Sequence, residues 1–180
     1  MSAVEVQRIL VAIDYSVHAR RAFDYAVGLA RRFEAALVVL HVWERPAYLP
    51  EGLVVGPPGQ ARRTVAELIH ENAEREMTQF LLGCRLCERL QMDVVLETGE
   101  PAAAILRVAA AHDCALIVMG AQGNTGVLHH LILGSVTDKV VRLSPVPVIT
   151  VPDPRSGSRR VASALRRVDP PGRGSDPPSA

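Results

Sequence analysis

A few small residues and one acid hold most of the chemistry this sequence could perform. Gly120-Ala-Gln-Gly123 is followed by Gly134-Ser135-Val136, with ten residues, 124 to 133, between the two groups. Glycine lets a backbone pass through positive φ or approach a ligand closely, and Gly123, Gly126 and Gly134 are expected to serve that purpose. Ser135 is expected to cap a helix over 136–143. A helix start presents unpaired N–H groups and a partial positive charge, which suits an anion. The apolar run before the glycines, Ala115-Leu-Ile-Val-Met119, reads as a buried strand. Strand, glycine loop and helix start in that order fit a phosphate. The pattern is neither Gly-x4-Gly-Lys-Ser/Thr nor Gly-x-Gly-x-x-Gly opening a first helix. Asp14 ends a second apolar run, Arg8 to Ile13. It either caps the turn that follows or faces a ligand, and a place beside Gly120 favours the ligand.

These residues need a scaffold. Arg8 to Ile13 is apolar throughout, as strands buried on both faces are. Ser16 is placed to cap a helix over 17–33, in which Ala22, Phe23, Ala26, Leu29, Ala30 and Phe33 follow the helical period. Ala36 to Val42 is a second strand, so the crossover between the two is right-handed. The stretch 43–60, dense in proline and glycine, reads as a long surface loop. A helix is expected over 62–90, with Val65, Ile69, Ala73, Met77, Leu81 and Cys84 on one face. Strands are expected over 93–97, 115–119 and 145–152, and a helix from Pro101 to about His112. Prolines at both ends of the last strand place it at a sheet edge or an interface. Five strands alternating with helices give an α/β, doubly wound parallel sheet. Ligands of such sheets bind beyond the carboxyl ends of strands, where strand order reverses. With strands one and four side by side, Asp14 and Gly120 meet at one crevice.

Composition narrows the possibilities. At 180 residues, 48% of them hydrophobic, the chain suits one globular domain over 1–152. Residues 153–180 are rich in proline, glycine, serine and arginine and are expected to be a disordered tail. A net charge of +1 gives no reason to expect nucleic acid or an anionic membrane. No apolar run approaches the roughly 20 residues of a membrane span, and the first residues lack a signal-peptide core. Three cysteines without an export signal indicate free thiols in a reducing cytoplasm. Cys84-Arg-Leu-Cys87 has redox or zinc spacing, but further zinc ligands are missing, so both cysteines, like Cys114, read as core. His129 and His130 are adjacent, and neighbouring helical residues point about 100° apart, which argues against a metal pair. Arg31-Arg32 and Arg62-Arg63 read as solvated faces. No nucleophile set or general acid/base pair appears.

Taken together, Ile9-Leu-Val-Ala-Ile-Asp14-Tyr-Ser16, Thr98-Gly-Glu-Pro101, Val118-Met-Gly120-Ala-Gln-Gly123, Gly134-Ser135-Val-Thr-Asp-Lys-Val140 and Pro145 to Val151 resemble the universal stress protein family over about residues 6–152. The resemblance implies a five-stranded sheet in the order 3-2-1-4-5, like that of adenine-nucleotide alpha-hydrolases. It also implies a homodimer paired through strand 146–151, and a cytoplasmic role in stress tolerance. Members that bind ATP show Gly-x2-Gly-x9-Gly-Ser/Thr, and this chain is similar with one extra residue, taken as a tolerated bulge. The implied ligand is ATP with Mg²⁺. Asp14 and the backbone near Val42 would hold adenosine, with Ala12 in the same set. Gly120, Gly123, Gly134, Ser135 and Val136 would surround the phosphates. Strand one lacks the Ser-Gly-Gly-x-Asp-Ser loop of related ATP pyrophosphatases, so at most slow hydrolysis is expected. The extra residue keeps an alternative open: an interaction protein of the same fold that binds no nucleotide and docks partners on the dimer or the 43–60 loop. A Cys84/Cys87 thiol switch is a third reading.

Overall fold

The computed structural model describes residues 5–43, 50, 52–56, 62–82, 84, 87, 89–122 and 133–152. Its centre is β1, Arg8–Ile13. Ile9, Leu10 and Val11 have no exposed surface, because this strand is covered on both faces and bordered on both edges. After it come α1 (Val17–Phe33), β2 (Ala36–Trp43), β3 (Val54–Val55), β4 (Arg63–Thr64) and α2 (Val65–Leu81). The chain continues through β5 (Met92–Thr98), α3 (Pro101–Ala111), β6 (Leu116–Gly120), α4 (Ser135–Leu143) and β7 (Val148–Val151).

Five strands form one parallel sheet in the order β5-β2-β1-β6-β7. This is the expected 3-2-1-4-5 order once the small β3–β4 hairpin is set aside. Alternation along each strand divides the core in two. Ile9, Val11 and Ile13 pack with Ala22, Phe23, Ala26 and Val27 of α1 and Met77 of α2. Leu10, Val38 and Leu40 pack on the other face with Ile105 and Val108 of α3 and Val140 of α4. Order reverses at β1, which runs first to β2 on one side and later receives β6 on the other, with Ala12 opposite Met119. The carboxyl ends of β1 and β6 therefore open onto one crevice.

Local sequence sets the helix limits. Ser16 caps α1, its Oγ accepting from the Ala19 amide at 3.1 Å. Thr64 and Glu67 form a reciprocal capping box at the start of α2. Glu100 caps α3 through the Ala103 amide, and Pro101 takes the first helical position.

Some expectations need correction. The helix expected over 62–90 spans only Val65–Leu81, since the capping box fixes its start and Leu82 leaves helical geometry. Beyond it, the Cys84 amide donates to Leu81 O and the Cys87 amide to Cys84 O, and the two sulfurs are joined in a disulfide. The expectation of free thiols thus fails for this pair. Both cysteines still pack against the α1 side of the core, and Cys114 is free and buried. Phe33 is 49% exposed rather than part of the buried stripe, as it sits in the last turn of α1. Most of 43–60 lies outside the described residues; within it, Val54–Val55 pairs antiparallel with Arg63–Thr64. The tail and His129-His130 also lie outside them. No described helix is long and apolar enough to cross a membrane.

Candidate functional site

The crevice at the switch point has a volume of about 550 Å³, within the range of small-molecule sites. Ala12 and Asp14 come from the end of β1, Val42 from β2, Gly120 from β6, and Gly134, Ser135 and Val136 from the start of α4. All seven line it. Gly123, the eighth expected residue, lies outside the described residues, as does Gly126.

Each wall has a local cause. Asp14 sits in a tight turn, where its Oδ1 accepts from the Ser16 amide at 3.1 Å. The turn-capping role considered for it is therefore real, and the residue still borders the crevice. Tyr15 makes the turn possible with φ of 59°, a left-handed conformation that is unfavourable for a bulky side chain. Its anchors are the bond from its hydroxyl to Ala73 O of α2 at 3.1 Å and the packing of its ring on His41, 4.2 Å between centroids. Burial first, and then the Glu76 carboxylate, raise the Tyr15 hydroxyl pKa well above the ordinary tyrosine value, so it stays a neutral donor.

Gly120 is needed for space and not for φ. A Cβ there would stand 3.1 Å from Gln122 O and 3.4 Å from His18 Cβ. Gly134 does not use positive φ as expected, because it is extended, at φ −66° and ψ 158°, and is itself the N-cap of α4. Ser135 is consequently the first helical residue and not the cap. Among the described residues no side chain caps α4, whereas Ser16, Thr64 and Glu100 cap α1, α2 and α3. The first N–H groups of α4 thus face the crevice without a side-chain acceptor from the cap, and the helix dipole adds positive potential there.

Two bonds hold that helix start in place. The Gly134 amide donates to Ala121 O at 2.8 Å, and Thr137 Oγ1 donates to Gly120 O at 2.9 Å. Thr137 is 3% exposed and is the buried polar side chain among the described residues. Sequence reasoning missed it. The signal was its place, the third helical residue, where a hydroxyl can turn back toward the preceding strand. Leu40, Ile105 and Met119 form an apolar floor that was also missed. Such a floor suits a flat, weakly polar group, and the α4 start suits an anionic one.

At the rim, Lys139 Nζ lies 2.9 Å from Glu100 Oε1. That bond first, and then the Ala103 amide, hold the Glu100 carboxyl below the ordinary glutamate range. Among the described residues no group of three His, Cys, Asp or Glu side chains could hold a metal ion.

Comparison with known proteins agrees with this fold. A model of the universal stress protein family matches residues 5–152. Universal stress protein YxiE of Bacillus subtilis is 32% identical over 154 residues, covering 80% of this chain and 97% of that protein. The solved universal stress protein UspA from Lactobacillus plantarum superposes with a TM-score of 0.63 at 26% identity, covering 83% of this chain and 99% of the other. Two further neighbours share the fold at 22% identity. One is a universal stress protein solved with cAMP, TM-score 0.52, covering 82% of this chain and 97% of its own. The other is the Archaeoglobus fulgidus protein solved with dAMP, TM-score 0.54, covering 82% and 98%.

Proposed function

The chain belongs to the universal stress protein family, and from that premise we propose that its crevice binds an adenine nucleotide, ATP with Mg²⁺, in a regulatory role in stress tolerance. The observation that carries this reading is the uncapped start of α4, held open onto a crevice that also contains Asp14 and an apolar floor. The base and ribose would lie along Ala12, Asp14 and Val42. The phosphates would meet Gly120, Gly134, Ser135 and Val136, with Gly123 completing the set. Neighbours solved with cAMP and dAMP support the adenine part of the reading. Mg²⁺ would ride on phosphate oxygens. The reading assigns no catalytic residue, so the protein would act by binding, with at most slow hydrolysis.

The same reading makes residues 1–152 the binding domain, followed by a tail, in a cytoplasmic homodimer paired through 146–151. The edge position of β7 supports that assembly, since an open edge invites pairing. The test is chromatography of the nucleotide released from gently purified protein, followed by titration of the stripped protein. Released adenine nucleotide and saturable rebinding fit the proposal. A folded chain that neither carries nor rebinds one supports the interaction-protein alternative. The Cys84–Cys87 disulfide favours a second reading, a thiol switch, because a disulfide in a reducing compartment is usually transient or sensing.

A further inference from the structure

The rim ion pair has a position that its structural role does not explain. Glu100 uses both carboxylate oxygens: Oε2 accepts from the Ala103 amide at 2.7 Å, and Oε1 accepts from Lys139 Nζ at 2.9 Å. The next residue, Pro101, lines the crevice. Lys139 lies four residues after Ser135, which also lines it, and residues four apart share one helix face. Helical side chains lean toward the N-terminus, so the stem of Lys139 extends back over the turn that holds Ser135. The ammonium thus bridges from α4 to the α3 start, and the pair stands next to Pro101 and Ser135, which line the crevice, without lining it itself. Both partners are about half exposed, at 57% and 46%, so an exposed pair of this kind is weak and exchangeable.

Resting on the nucleotide reading above, we infer that Lys139 gauges the length of the phosphate chain, passing from Glu100 to the outer phosphates of a bound nucleotide. A monophosphate ends at the α4 start and leaves the pair intact. A triphosphate reaches further and presents more charge than one carboxylate, so it competes for the ammonium. Glu100 is then a rival that helps set the threshold. Lys139 acts as a specificity-determining residue, and the crevice prefers a triphosphate over a monophosphate by the margin this exchange contributes.

The experiment titrates adenosine, AMP, ADP and ATP, each with Mg²⁺, into the full chain and into Lys139→Met and Glu100→Gln. Methionine keeps an unbranched stem, and glutamine keeps an acceptor for Ala103, so thermal melts should confirm that both variants are folded. Lys139→Met is expected to weaken ATP by about fivefold, the worth of an exposed charge contact, with AMP and adenosine unchanged. Glu100→Gln is expected to widen the ATP-to-AMP preference, and both effects should shrink in high salt. An unchanged or widened preference in Lys139→Met overturns the inference, and so does an unchanged or narrowed one in Glu100→Gln. A folded wild-type chain that binds none of the four overturns the nucleotide reading, and the inference falls with it. Binding of AMP and ATP with a variant-independent ratio removes the inference alone.

Discussion

Thr137→Val tests whether the α4 start is held where an anion needs it. Valine copies the shape of threonine and removes the hydroxyl that reaches Gly120 O at 2.9 Å. The site is 3% exposed, so water cannot readily replace the lost donor. The cost combines one net hydrogen bond with a buried carbonyl left without its partner, together about 1–3 kcal/mol. For a chain of this size that lowers Tm by roughly 3–10 °C. The functional effect has a different origin. A partly buried helix terminus is worth up to about 2 kcal/mol to an anion, so loosening it should weaken Mg-ATP by between about twofold and about thirtyfold. Thermal melts and calorimetric titration read the two quantities separately. Thr137→Ser keeps the hydroxyl and loses only a methyl. It should recover most of the affinity while remaining less stable than wild type by about 1 kcal/mol. A Thr137→Val protein with wild-type Tm and affinity would refute the reasoning. So would a Thr137→Ser protein as weak toward Mg-ATP as Thr137→Val, since packing and not the hydroxyl would then be responsible.

Assembly and thiol chemistry give two further predictions. Ile117 N donates to Pro147 O, and Ala121 N donates to Val151 O, so in a parallel ladder Pro147, Ile149 and Val151 serve β6, and the amides of Val148 and Thr150 face outward. Thr150→Pro removes one outward donor and should shift the proposed dimer toward monomer in light scattering, with the fold kept by circular dichroism; an undiminished dimer would count against pairing through β7. Charged replacements at Val148 or Ile149 are a poorer test, because those side chains pack into the two cores. Without reductant, thiol titration of the native protein should find no reactive cysteine. Cys84 and Cys87 are joined, and burial pushes the buried Cys114 thiol up to about 11. Reductant should release two thiols and denaturation a third; two reactive thiols in the untreated native protein would contradict the disulfide.

Much of this architecture could be read from periodicity. The run Arg8 to Ile13 is apolar without interruption, and that is the signature of a strand covered on both faces. Ser16 and Pro101 mark helix starts that depend on near neighbours alone. What was missed depends on contacts distant in sequence. The apolar stripe of α2 continues past Leu81 through Cys84, and only the turn and disulfide that follow show that the helix has already ended. Ser135 has the residue type of a cap, yet the Gly134 amide bonded to Ala121 O moves the cap one residue earlier. Gly120 was legible as the end of a strand at the crevice, but the tight space beside His18 and Gln122 that favours glycine there depends on the packing of α1 against β6. Thr137 escaped notice because its partner is seventeen residues away, across the glycine segment. Asp14 and Gly120 were legible together because each ends an apolar strand of a doubly wound sheet, whereas Val42 and the strand order came from the family resemblance.

The most direct measurement is calorimetric titration of the folded full chain with Mg-ATP. The account predicts saturable binding at one site per chain, competed by adenosine nucleotides and weakened by Thr137→Val. Absence of heat up to millimolar Mg-ATP, with a cooperative melt showing the sample folded, would contradict it.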